Sequence, residues 1–203
     1  MNVTGPVMHA VAKAMRPLAT ALAALAVLCA CMRAPSEWKE LVLENGGFAV
    51  LMRGQPHYVR QMLDTPAGRM EAHLYSSDRP DAYFAVGYSD YPLALVVGGS
   101  PEGLFTGVRD MWVRRLEGRL TQSDSRITAG GRHPGYAFSA EGRMNGADAI
   151  LDARLYLVGQ RLYQIVAIGR KGEVSQGIVN RFLDSFRLVE EKQVGSITIE
   201  SAK

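Results

Sequence analysis

The chain has 203 residues, 47% hydrophobic and 21% charged, a balance that excludes wholesale disorder. The formal charge is +3, but Lys13 and Arg16 belong to a leader without acidic residues; removing them leaves 21 basic against 20 acidic groups, so nucleic acid has no electrostatic basis as a partner. Both cysteines, Cys29 and Cys31, close that leader, which leaves the rest of the chain no disulfide, no cysteine-ligated metal and no thiol nucleophile.

Residues 1–30 read as an export signal: a basic flank at Lys13 and Arg16, then the apolar run LATALAALAVLCA. As a helix that run would extend only about 18–20 Å, too short for a bilayer core. Met8 and Met15 are alternative starts. The segment Leu28-Cys29-Ala30-Cys31 resembles the lipobox of bacterial lipoproteins, with an aliphatic residue three positions before the cysteine and small residues between. Cysteine in place of the usual alanine, serine or threonine at the second position is a departure. The resemblance implies lipidation of Cys31 by diacylglycerol and acyl chains such as palmitate. It also implies anchoring at the cell envelope, with Met32 in the following position pointing to the periplasmic face of the outer membrane.

Residues 31–37 are a tether, and a single domain is expected over 38–203. Trp38, Leu41 and Leu43 mark a first strand, Asn45-Gly46-Gly47 a turn, and Phe48 to Met52 a second strand ended by Gly54 and Pro56. A hairpin is expected from His57 to Leu63 and Arg69 to Tyr75 across Thr65-Pro66-Ala67-Gly68; its second arm alternates Met70, Ala72 and Leu74 with Glu71, His73 and Tyr75. With the strand Ala82 to Tyr88 the first half reads as one antiparallel meander, His73 facing solvent.

Pro92 to Gly99 reads as a linker or short strand. A helix follows with Ser100 as cap, Pro101 in the first turn, and Leu104, Val108, Met111, Trp112 and Leu116 on its apolar face up to Gly118. Strands are expected at Arg126 to Ala129, Gly135 to Arg143 and Ala149 to Val158. Gly159-Gln160 suits a type II′ turn into the next strand. Val174, Ile178, Phe182 and Phe186, with Val179 and Leu183, form the stripe of a second helix. Arg187 to Glu190 runs extended, and Ser196 to Glu200 is a last short strand. Short turns and two separated helices make the fold class α+β, a largely antiparallel sheet with two main helices packed on it.

FAVLMRGQP, AYFAVGYSDYP, GRHPGYAFSAEG, RLYLVGQRLYQIVAIG and FLDSFRL are similar to a bacterial domain common in exported proteins and without assigned function. Its opening Pro-Gly-x-Pro is represented here by Arg53-Gly54-Gln55-Pro56, without the first proline, while Phe182-Leu183-Asp184-Ser185-Phe186 is the most specific correspondence. More distantly the pattern resembles the PsbP-like α/β sandwiches, over residues 38–190. The resemblance implies a non-catalytic binding or accessory module and assigns no functional residue.

Catalytic chemistry finds little support. His57, His73 and His133 carry no HExxH or paired-histidine spacing, and no GxSxG elbow, P-loop or dinucleotide fingerprint occurs. His133 lies among turn formers, Gly130-Gly131-Arg132-His133-Pro134-Gly135, whose glycines read as conformational. Gly98-Gly99-Ser100 could hold an anion at a helix start but reads as a plain cap. Asp78, Asp81 and Asp90 match no EF-hand spacing and read as solvated turn residues.

Seven tyrosines, Tyr75, Tyr83, Tyr88, Tyr91, Tyr136, Tyr156 and Tyr163, either pack at the core edges or share a face as a platform. No cofactor or metal is implied. The expectation is a lipid-anchored, non-catalytic binding or assembly module, its partners the membrane through the lipid and an envelope protein. The alternatives are an envelope hydrolase using His57 or His133 with a nearby aspartate, and a small-molecule carrier with a pocket between sheet and helix.

Overall fold

A computed structural model describes residues 38–65, 68–124 and 127–189, all within the second of the chain's two compact units, Trp38–Lys203. The leader, Cys31, the tether and the strand expected at Ser196 to Glu200 lie outside the described residues. The expected single domain is described over Trp38 to Val189. None of the described helices is long and apolar enough to cross a membrane.

The fold is α+β and largely antiparallel, in two sheets. The smaller joins β1 (Trp38–Leu43), β2 (Phe48–Arg53) and β11 (Arg187–Leu188) in the order β1-β2-β11. The larger contains β3 (His57–Thr65), β4 (Gly68–Asp78), β5 (Ala82–Asp90), β6 (Arg119–Asp124), β8 (His133–Met144), β9 (Ala147–Val158) and β10 (Arg161–Arg170). Its order is β3-β4-β5-β10-β9-β8-β6, and β7 (Thr128–Ala129) pairs with β8 outside that path. Among the described residues three helices accompany the sheets: α1 (Leu93–Gly98), α2 (Pro101–Arg115) and α3 (Gln176–Asp184).

The expected meander is thus corrected, because β1 and β2 leave the main sheet. Gly54 turns the chain at φ 85 and Pro56 has no N–H for a ladder, so β2 does not continue into pairing with β3. The β9–β10 hairpin follows its sequence pattern, pairing Val158 with Arg161 around Gly159 at φ 58. Positive φ at the first central residue alone is the signature of a type II′ turn.

Pro92 to Gly99 is neither linker nor strand. Leu95 N–H donates to the Pro92 carbonyl (2.9 Å), which opens the short helix α1. At the start of α2, Gly103 N–H donates to Ser100 Oγ (3.3 Å), so Gly98-Gly99-Ser100 is a cap. The buried face of α2 is Phe105, Val108 and Trp112, continued by Leu116. Met111, expected in the core, is 41% exposed, a shift of the apolar stripe by one residue. The chain turns at Glu117 (φ 49) rather than Gly118, then forms β6, a strand absent from the apolar pattern because five of its six residues are exposed.

The helix α3 is shorter than its stripe. Val179, Phe182 and Leu183 are buried within it, whereas Val174 precedes it and Phe186 follows it, both still packed on the same core. Fully buried aromatics dominate that core: Phe48 of β2 and Phe84 of β5 are each 0% exposed, as is Phe182. Phe84 meets Phe182 edge-on at 5.2 Å between centroids.

The main sheet therefore has two covered faces. The small sheet and α3 cover one, where Phe84, Val86 and Tyr88 of β5 meet Tyr163, Ile165 and Ala167 of β10. On the other, α2 covers Phe138, Leu151, Leu155, Leu162, Val166 and Ile168. This second cover is partial: α2 packs on β8, while β3, β4 and β5 lie further along the sheet.

Candidate functional site: a cleft between helix α2 and the sheet

The strand β5, AYFAVGYSD, sends alternate residues to opposite faces. Phe84, Val86 and Tyr88 fill the core under the small sheet. Ala85, Gly87 and Ser89 on the other face are small, as is Ala72 of β4, which pairs with Ser89. Where a large side chain would have reached α2, the sheet leaves space.

The result is a cleft of about 770 Å³, within the 300–1,000 Å³ range of small-ligand sites. Its floor is Ala72 and Leu74 of β4, Ala85 and Gly87 of β5, and Val166 and Ile168 of β10. One wall is Met111, Trp112, Arg115 and Leu116 of α2, and Met144 to Gly146 of the β8–β9 turn close one end. A Cβ on Gly87 would sit 3.0 Å from the His73 carbonyl oxygen and 3.3 Å from Leu74 Cδ1, so this position stays bare. Gln61 and Leu63 carry the lining onto the edge strand β3.

Polar and charged residues, among them Asp78, Arg115, Glu117 and Arg143, ring the small and aliphatic floor. Trp112 Nε1–H donates to Gln164 Oε1 (3.0 Å), joining wall to floor. Ser77 and Ser89, each 3% exposed, are the buried polar side chains of the described core. The Ser77 hydroxyl donates to the Arg53 carbonyl, whereas that of Ser89, which lines the cleft, has no hydrogen-bond partner among the described residues.

The expected site residues fall elsewhere. His57 opens β3 and His133 opens β8, five strand spacings apart in the sheet order, which is about 24 Å. Arg132 Nε–H donates to His133 Nε2 (3.2 Å), neither histidine lines the cleft, and no aspartate is bonded to either among the described residues. The loop before His133 has Gly130 and Gly131 at φ 56 and 71, the conformational role expected of them.

His73, expected to face solvent, is instead stacked. Its ring lies 4.4 Å from that of Tyr88 at an interplanar angle of 7°, its Nδ1 is 2.9 Å from Tyr58 Oη, and its Nε2 is 3.0 Å from Glu71 Oε1. The tyrosines divide between the two faces. Tyr75, Tyr88, Tyr156 and Tyr163 lie under the small sheet around Phe48 and Phe186, while Tyr83, Tyr91 and Tyr136 take the α2 side. Most are packing residues rather than a platform, although Tyr58 at the β3 edge remains 50% exposed.

Two of the aspartates are ion-paired rather than merely solvated. Asp81 binds Arg53 (2.6 Å), and Asp90 accepts from Arg161 Nε (2.6 Å) and Nη2 (2.8 Å). Asp78 lines the cleft. Among the described residues no three histidine, cysteine, aspartate or glutamate side chains converge as a metal site would need.

No protein-family profile matches the chain, and no curated protein matches it in sequence. Two solved structures align with parts of the chain. A Pseudomonas aeruginosa protein of unknown function aligns at 9% identity and a TM-score of 0.36 over 56% of this chain and 85% of its own. A Bacteroides thetaiotaomicron protein aligns at 10% identity and a TM-score of 0.42 over 76% of this chain and 50% of its own.

Proposed function

We propose that this is a lipid-anchored protein of the bacterial cell envelope, held through Cys31, whose PsbP-like domain is a non-catalytic binding module. Its ligand is a small, largely apolar molecule that lies between α2 and the open half of the main sheet. The observation that supports this reading is the cleft of about 770 Å³, kept open by the small face of β5. Closely packed sheet–helix interfaces leave no such space, and apolar sites with a few convergent polar groups are where small molecules bind.

The test is titration of the full chain, made with Cys31→Ser to keep it unlipidated, against the uncharged dye N-phenyl-1-naphthylamine. Saturable brightening is expected at one dye per chain. The variant Ala72→Leu, which grows a side chain from the floor into the open space, is expected to weaken the dye at least tenfold while leaving the far-ultraviolet circular dichroism unchanged. Absence of saturable binding to the parent chain would overturn the ligand reading. The anchor is tested separately by intact mass from the native envelope: a mature chain beginning at Cys31 and enlarged by lipid is expected, and an unmodified mass starting elsewhere would remove it.

A further inference from the structure

The cleft has chemically distinct ends, and they narrow the ligand class; the inference rests on the reading of the cleft as a ligand site. At the Trp112 end, the indole N–H can only donate, so the Gln164 oxygen must face it (3.0 Å). That fixes the amide, and the Gln164 NH₂ donors are left for the open space. Ser89 is a diagonal neighbour on the same face, since Gln164 pairs with Gly87 two residues before it. Such neighbours are about 7–8 Å apart, and Gly87 puts no side chain between them. Ser89 is a buried residue that lines the cleft, and its hydroxyl is unpartnered among the described residues. A cation stands beside this end too: Arg115 Cζ lies 5.8 Å from the centre of the Trp112 ring, and Arg115 has no carboxylate within 4 Å among the described residues.

The acidic lining residues are Glu117, which follows Leu116 where the Arg143 N–H reaches the helix end, and Asp78, which is at the far end. Asp78 pairs with Tyr83, four residues along β5 from Gly87, about 13 Å away. Between these ends the surface is aliphatic, with Leu74, Val166, Leu116 and Ile168. The Gln164 NH₂ can only donate and Arg115 is cationic, so an acceptor placed here meets two donors with the Ser89 hydroxyl, whereas an ammonium would find the Ser89 oxygen beside a guanidinium.

We infer that the cleft takes an apolar chain ending in an oxygen acceptor, an acyl carbonyl or carboxylate held by the Ser89 hydroxyl and the Gln164 amide. The chain lies over the aliphatic floor and the acyl oxygen points toward Trp112. A free acid and an ester share this chemistry; the acid would draw in addition on Arg115.

The experiment is displacement of bound N-phenyl-1-naphthylamine from the full chain by decanoate, methyl decanoate and decylamine at pH 8. At least one acyl ligand is expected to compete ten times better than decylamine. Decanoate far ahead of methyl decanoate would identify a free acid; parity would identify an ester or amide carbonyl. Ser89→Ala is expected to weaken the acyl ligands five- to tenfold relative to decylamine. Gln164→Glu keeps an oxygen for the Trp112 N–H and removes the donors, so it is expected to reverse the preference toward decylamine. Equal competition by all three ligands, with neither substitution moving the order, would overturn the inference while dye binding left the ligand site itself standing. Failure of the dye to bind would remove the site first.

Discussion

Arg161 combines an ion pair, hydrogen bonds to backbone and an aromatic contact in one side chain. Its fork holds Asp90 through Nε (2.6 Å) and Nη2 (2.8 Å), Nη1 reaches the Asn45 and Gly46 carbonyls (3.1 and 3.3 Å), and its plane lies 4.7 Å over the Tyr88 ring. One residue of β10 thus grips the turn between β1 and β2. A lysine has one ammonium and no plane, and cannot satisfy the carboxylate bidentately while also stacking and reaching two carbonyls. Arg161→Lys is expected to lower stability by about 1–2 kcal/mol, around and below the low end of what charge-assisted hydrogen bonds contribute, because Asp90 is largely exposed and screened. Urea unfolding followed by tryptophan fluorescence measures this; an unchanged midpoint would show that the grip is incidental. None of it was readable in the sequence, where Arg161 is one arginine among many and its partners lie 71 and 115 or more positions away.

At the scale of elements, legibility followed the range of the cause. The β9–β10 hairpin and α3 come from local patterns, a glycine turn between apolar strands and a stripe at helical spacing; the hairpin formed where its pattern placed it, and α3 formed over the middle of its stripe. The division of strands between two sheets is non-local: alternation tells which side chains are buried but not which strand lies beside which. The cleft did leave a trace, since large Phe84, Val86 and Tyr88 alternate with small Ala85, Gly87 and Ser89. Strand patterning weighs apolar against polar, not large against small, so this trace does not mark a cleft in the sequence. Gly118 is a similar case, since by sequence it suits a helix stop. Its actual role is close approach: a Cβ there would overlap the Glu141 carbonyl oxygen, and one on Gly142 would overlap the Leu116 carbonyl oxygen. The two glycines let the end of α2 lie against β8, where Arg143 N–H donates to the Leu116 carbonyl (2.7 Å). Gly142→Ala must push helix end and strand apart, and is expected to cost about 1–3 kcal/mol, the range for overpacking. Because Leu116 and Trp112 both wall the cleft, dye affinity should fall along with the melting temperature; a variant as stable as the parent would refute the close-approach account.

The described domain depends on keeping a small sheet pressed to a large one, and two arginines fix that join, one through an ion pair and one through hydrogen bonds to backbone carbonyls. Arg53 of β2 meets Asp81 in the turn before β5 (2.6 Å); Arg161 carries Asp90 and holds the β1–β2 turn. Burial pushes the Asp81 carboxyl upward, but the Arg53 hydrogen bond and the nearby guanidinium charges outweigh it and hold it below the usual carboxylate range. The Arg161 hydrogen bond lowers Asp90 likewise. Glu141, hydrogen-bonded to Lys171 and Arg119, is lowered as well, on the main sheet alone. A group whose folded pKa lies below its unfolded value, about 3.9 for aspartate, adds stability that is complete above the unfolded value and disappears as pH falls through the folded one. These three carboxylates therefore contribute a stability that is level from about pH 5 upward and declines below about pH 4. The Asp81→Asn variant should be less stable than the parent at pH 7 and should lose less on acidification, so that the two melting curves approach each other toward pH 2. Parallel pH profiles for the two proteins would show that the Arg53–Asp81 join adds nothing. Convergence in Asp81→Asn but not in the variant Glu141→Gln would identify the contact between the sheets, rather than surface charge in general, as the acid-sensitive part of the fold.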